Sequence, residues 1–233
     1  MSQPKSDKGI SGNFEIFDTE EDVAVSLAKY AADLSDKFVK QRGAFTVVVS
    51  GGSLIKSLRI ILKVTTEYLL AYDGFLSKVP ILPDHIHAIN DTLSTEDAAE
   101  DYETRLKQLV KSNILATSSA TGFPKFDAML LGMGPDGHVA SLFPGHPLVN
   151  EDKKWVTFIK DSPKPPPERI TLTFPVINSS AYIALAIVGA GKAGIVKTAL
   201  GDSNQSSDLL PVQLVSPEGE LKWFLDKDAA SLL

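Results

Sequence analysis

The stretch from Thr46 to Ile61 constrains this chain more than any other. Thr46 to Val49 is a β-branched run, Ser50-Gly51-Gly52-Ser53 is a turn, and Leu54, Leu58 and Ile61 recur at helical spacing. Strand, glycine turn, helix is the repeating unit of a parallel sheet, whose strands read as short apolar runs because both faces are covered. The same grammar runs along the chain. Phe14 to Phe17 reads as a strand, and Asp18-Thr19-Glu20-Glu21 opens a helix that runs to about Lys40. A further helix is expected around Glu96 to Ser112, with strands at Phe126 to Leu131, Ile170 to Leu172 and Tyr182 to Val188. Pro211 to Val215 and Leu221 to Phe224 flank the turn signal Ser216-Pro217-Glu218-Gly219 and are expected to form a terminal hairpin.

These elements predict an α/β protein, a mostly parallel, doubly wound sheet with helices on both faces. Residues 1–12 are expected to be a flexible tail and residues 13–233 a single domain, long enough to bury roughly 70% of its unfolded surface. At 43% hydrophobic and 22% charged, the composition is that of a globular protein. No apolar run approaches the ~20 residues of a membrane span. The segment Met1 to Gly12 is polar and lacks the pattern of a signal or transit peptide, and there are no cysteines; both point to the cytoplasm. A net charge of -6 argues against nucleic acid as a partner and requires any anion site to be a local basic pocket. Oligomeric state leaves no mark on the sequence.

Leu131-Gly132-Met133-Gly134-Pro135-Asp136-Gly137-His138-Val139-Ala140-Ser141-Leu142-Phe143-Pro144-Gly145 follows a buried strand, where ligands collect in open α/β sheets. Asp136 and His138 are close enough for the carboxylate to orient the imidazole. On its own, Asp-Gly-His is more often a turn than a site. Ser50-Gly51-Gly52-Ser53 reads either as a phosphate cradle at a helix start or as a plain turn with Ser53 as N-cap. Gly189-Ala190-Gly191-Lys192-Ala193-Gly194 matches a dinucleotide fingerprint but sits too late, and the strand expected downstream ends in Val215-Ser216 where that fold needs an acidic residue. Arg169 follows the stiff segment Ser162-Pro163-Lys164-Pro165-Pro166-Pro167 and can fork onto a phosphate or pair with Glu168. Lys56 and Lys164 read as solvated, and His85, His87 and His146 show no ligation pattern. No G-x-S-x-G elbow, H-E-x-x-H motif or EF-hand loop is present. Water activated by a general base is the remaining hydrolytic route, with no metal or cofactor expected.

Taken together, the 131–145 string, Val49-Ser50-Gly51-Gly52-Ser53, Pro167-Glu168-Arg169-Ile170-Thr171-Leu172-Thr173 and Val188-Gly189-Ala190-Gly191-Lys192-Ala193 resemble the 6-phosphogluconolactonase family. The resemblance implies the fold shared with glucosamine-6-phosphate deaminases and hydrolysis of 6-phospho-D-glucono-1,5-lactone in the pentose phosphate pathway. It implies His138 as the base with Asp136 orienting it, and Ser50, Gly51, Gly52, Ser53, Lys192 and Arg169 around the substrate phosphate. The backbone of the glycine-rich loops, at Gly134 and Gly137, is expected to hold the oxyanion. In one place the sequence departs from the family, which carries a strand ending in Asp-Glu-Arg and a further loop where this chain runs from Leu69 straight into Leu70. One strand fewer is therefore expected in the sheet. A sugar-phosphate isomerase or deaminase on the same fold and a catalytically weakened sugar-phosphate binder are the alternatives.

Overall fold

In a computed structural model the described residues are 13–50, 81–201 and 209–233. The predicted helix after Ser53, residues Gly51, Gly52 and Ser53 themselves, and the Leu69-Leu70 junction lie outside them.

Strand β1 (Asn13–Phe17) leads into helix α1 (Glu20–Arg42). Thr19 caps the helix by accepting from the Asp22 N–H, and three acidic residues in the first turn complement the helix dipole. It stops at Gly43, whose φ of 76° allows its N–H to close back on the Val39 carbonyl, a left-handed exit that glycine makes without strain. Strand β2 (Val47–Val49) follows, then helix α2 (Thr95–Lys111), capped by Ser94. After the short strands β3 (Ala116–Thr117) and β4 (Pro124–Lys125) come β5 (Ala128–Gly132), β6 (Val156–Ile159) and β7 (Arg169–Leu172). Helix α3 (Phe174–Asn178), strand β8 (Tyr182–Ile187), helix α4 (Ala193–Leu200) and strand β9 (Glu220–Asp226) complete the chain.

Among the described residues the central sheet has the order β1-β9-β8-β5-β2, and every neighbouring pair is parallel. The chain crosses from β1 to the opposite edge at β2 and then steps back strand by strand. All carboxyl ends therefore lie along one rim. Alternation along each strand sorts the core into two faces. Leu130, Ala184, Ala186 and Phe224 meet Val23 and Leu27 of α1, and the two alanines let that helix come close. Met129, Leu131, Ile183, Leu185, Ile187, Trp223 and Leu225 point the other way, onto Ala99 and Leu106 of α2 and onto α3 and α4. Helices cover both faces, as the sequence predicts.

At the end of the sheet opposite that rim, the buried Asp127 carboxylate ties three elements together. Arg42 at the end of α1 pairs with it, and the Thr46 N–H (2.6 Å) and hydroxyl (2.8 Å) just before β2 donate to it.

Two expectations are corrected. Pro211 to Val215 is not a strand: Pro211–Leu214 forms a 3₁₀ turn, started by a proline with no N–H to give to a ladder, and the Val212 N–H goes to the Gly137 carbonyl. There is accordingly no terminal hairpin, because β9 instead lies parallel between β8 and β1. The strand at Ile170 to Leu172 does form, but outside the central sheet. It pairs antiparallel with β6, a strand that the run Val156-Thr157-Phe158-Ile159 signals by its β-branched and aromatic residues.

Candidate active site

The sequence places its chemistry at strand ends, and the structure gathers it on the rim. Beyond β5 the chain turns tightly at Met133 to His138, with the Gly134 N–H donating to the His138 carbonyl and the Gly137 N–H to the Gly134 carbonyl. This closure brings Asp136 Oδ1 to 2.5 Å from His138 Nδ1. The pair lies directly over the α-carbon of Gly134, where a β-carbon would overlap the imidazole and the carboxylate. Glycine is required there by close approach. Phe143 backs the ring, with centroids 4.4 Å apart. Burial pushes the Asp136 carboxyl up, but the hydrogen bond and charge of His138, with the N–H groups of Asp136 and His138, hold it below the usual carboxylate range. An ionised Asp136 accepts Nδ1–H and leaves the lone pair on Nε2, the arrangement a general base needs.

The oxyanion expectation at Gly134 and Gly137 is not met, because both N–H groups are spent inside the loop they close. The next turn is different. Ala140 and Ser141 both have positive φ, 48° and 60°, and the Leu142 N–H reaches the Val139 carbonyl at 2.7 Å. Two successive left-handed residues without a glycine cost about 1–2 kcal/mol each. The flanks hold them there: Val139 and Leu142 are fully buried, and the Thr171 hydroxyl donates to the Ala140 carbonyl.

On the neighbouring strand ends, Ser50 follows β2, with its N–H bonded to Leu130 and its hydroxyl accepting from the Gly132 N–H at 3.3 Å. Ser50 is thereby fixed beside the start of the Asp136–His138 loop. After β8, a 3₁₀ turn at Ala190–Lys192 enters α4. Burial lowers the Lys192 ammonium from its ordinary value, and Asp226 and Glu20 offset part of that. Asp226, at the end of β9, is buried and receives the Gly189 N–H on both oxygens, at 3.0 and 2.9 Å. So the strand after the glycine fingerprint does end in an acid, contrary to the sequence reading, but its carboxylate anchors the Lys192 loop from beneath. Nothing local in the sequence marks this long-range role.

Arg169 opens β7, its Nε donating to the Pro166 carbonyl (3.0 Å) and its Nη2 to those of Lys164 (2.7 Å) and Pro165 (2.9 Å). Its Nη1 reaches Ser141 Oγ at 3.4 Å, and the guanidinium stands 5.7 Å from the Phe143 ring centre. The proline loop thus aims Arg169 at the 131–145 string. Glu168, its alternative partner, instead accepts from the Thr95 hydroxyl. His146 bonds Asp161 at 3.3 Å and shows no ligand set, and among the described residues no cluster of acidic residues and histidines could hold a metal. Cavities of about 400 and 640 Å³ lie along α2, and neither is lined by Asp136, His138, Arg169 or Lys192. No helix among the described residues is long and apolar enough to cross a membrane.

Residues 65–223 match the family model of glucosamine-6-phosphate isomerases/6-phosphogluconolactonase. The chain is 61% identical to the probable 6-phosphogluconolactonase 4, chloroplastic, of Oryza sativa subsp. indica, over 94% of this chain and 76% of that one. It is 58% identical to 6-phosphogluconolactonase 3, chloroplastic, of Arabidopsis thaliana, over 94% and 74%. Each aligned span is 245 residues, longer than this 233-residue chain, so these relatives carry residues inside it that this chain lacks. Among solved structures, the 6-phosphogluconolactonase of Leishmania guyanensis shares the fold with a TM-score of 0.76 at 19% identity, over 94% of this chain and 97% of that one. That of Thermotoga maritima reaches 0.72 at 25% identity, over 93% and 100%. The chain belongs to the glucosamine-6-phosphate isomerase/6-phosphogluconolactonase family.

Proposed function

We propose that the chain hydrolyses 6-phospho-D-glucono-1,5-lactone to 6-phospho-D-gluconate, with His138 as general base. The observation that carries this reading is the Asp136–His138 pair seated on Gly134 at the carboxyl end of β5. Nε2 takes a proton from water as the water oxygen bonds to the lactone carbonyl carbon, and the carbonyl electron pair moves onto its oxygen. Collapse re-forms the carbonyl and breaks the bond to the ring oxygen, which leaves with the proton held by His138. Asp136 keeps the ring in the required tautomer and stabilises its protonated form. Ser50, Lys192 and Arg169 bind the phosphate, together with Gly51, Gly52 and Ser53. The lactone reading is favoured over an isomerase or a weakened binder because the relatives at 58–61% identity are named 6-phosphogluconolactonases.

The test is hydrolysis of freshly generated lactone above its spontaneous rate, run beside glucosamine 6-phosphate. Turnover of the amino sugar and not the lactone overturns the reading. A cytoplasmic location, read from residues 1–12, stands against relatives named chloroplastic. Fractionation of cells carrying the tagged full chain decides between the two compartments.

A further inference from the structure

We propose that the main-chain N–H groups of Ala140 and Ser141 form the oxyanion hole of this site, and that Thr171 is the residue that positions it. This rests on the lactonase reading above. The expected donors, Gly134 and Gly137, are occupied within their own loop, whereas the N–H groups of Ala140 and Ser141 have no acceptor among the described residues. They follow the base by two and three residues, and the two sides of the site share one wall. The His138 ring packs on Phe143, and Arg169, which holds Ser141 Oγ at 3.4 Å, stands over the same Phe143 ring.

The backbone has the form such a hole needs. Consecutive left-handed residues closed by a bond from Leu142 to Val139 make a tight turn whose two central N–H groups take no part in the closing bond. Alanine and serine are poor residues for that conformation, and strain of this kind persists where surrounding structure enforces it. Here the enforcement is visible. Val139 and Leu142 are sunk in the core, and Thr171, 6% exposed on β7, donates its hydroxyl to the carbonyl of Ala140. Donors held rigidly before reaction strengthen their hydrogen bonds as the carbonyl oxygen gains charge, which is where such groups lower a barrier.

Amide-to-ester exchange at Ala140 or at Ser141 deletes one N–H and leaves the side chains in place. Each exchange should lower kcat for the lactone by about 10²-fold, the scale of one oxyanion donor, with KM and the affinity for 6-phosphogluconate unchanged. Thr171→Val should lower kcat in the same sense without moving the pH at which the acid limb of the profile bends, and Thr171→Ser should recover most of the rate. Circular dichroism and melting confirm that each variant folds, and the ester pair carries the test if Thr171→Val does not. Esters with undiminished kcat, or with raised KM and unchanged kcat, overturn the oxyanion hole while leaving the lactonase reading standing. Absence of lactone hydrolysis in the unmodified chain removes that reading and this inference with it.

Discussion

The His138 imidazole rests on the α-carbon of Gly134, in the space that any side chain at that position would fill. The pair Asp136–His138 is therefore assembled by a missing side chain as much as by the two that are present. Gly134→Ala should push the ring off its seat and cut kcat by about 10²–10⁴-fold, the range for losing a general base, while the sheet stays folded. Steady-state hydrolysis with circular dichroism checks this, and normal turnover in a folded variant would show that the packing is incidental.

His138→Asn should cost kcat by the same about 10²–10⁴-fold and leave 6-phosphogluconate affinity nearly intact. Asp136→Asn keeps the shape but cannot hold Nδ1–H as an anion, so it should lower kcat as well and shift the acid limb of the rate profile. Equal pH profiles for Asp136→Asn and the unmodified chain would remove Asp136 from its orienting role.

Lys192→Ala should weaken 6-phosphogluconate binding by about 1.5–3 kcal/mol, the scale of a charged hydrogen bond. Because burial lowers the Lys192 ammonium, the free chain loses that cation below the ordinary lysine range. Phosphate affinity should thus decline as pH rises toward 10, and titration calorimetry across pH 7–10 reads it. An affinity that stays flat in the unmodified chain would sink the role of Lys192.

A stability test probes the opposite end of the sheet, where Asp127 ties Arg42 and Thr46 to the base of β5. Asp127→Ala strands a partly buried guanidinium and two donors, so it should cost about 3 kcal/mol or more in unfolding free energy. The kcat of the folded fraction should stay close to normal. A loss of kcat without a loss of stability would show that Asp127 serves the site and not the scaffold.

Acid should loosen the α2–β6 contact. Burial pushes the Glu103 carboxyl up, but Lys107 and the N–H groups of Val156 and Trp155 take it below the usual range. A carboxyl lowered on folding adds stability that is full above its unfolded pKa and lost as pH falls through the folded one. Glu103→Gln should flatten the acid side of the stability curve, followed by urea unfolding between pH 3 and 6. Identical slopes for the two chains would show that Glu103 contributes nothing there.

Much of the fold was legible because burial on both faces writes itself into the chain as apolar runs. Met129 to Leu131 and Ile183 to Ile187 could hardly be anything but interior strands. The helix start at Thr19 follows from local chemistry that a sequence displays. What failed was pairing. Pro211 to Leu214 and Leu221 to Phe224 look like neighbours in a hairpin, yet the first is held by Gly137 and the second by strands distant in sequence. The site divides in the same way. Asp136 and His138 were legible because a single residue, Gly137, separates them, whereas Asp226 under the Lys192 loop and Thr171 behind Ala140 act across long loops that no spacing rule reaches.

The pairing of β1 with β9 joins the first strand of the sheet to the last, with Asn13 opposite Lys222 and Phe17 opposite Asp226. During synthesis β1 and α1 must wait for all the residues between Phe17 and Glu220 before β9 exists. At about 5–20 residues per second that wait is on the order of 10 s or more. Loop closure over such a separation makes this edge slow to form, so it is the part of the sheet most exposed to mispairing in a nascent chain. Without the segment from Glu220 onward, β1 would lack its sheet partner and α1 the Phe224 ring beneath it.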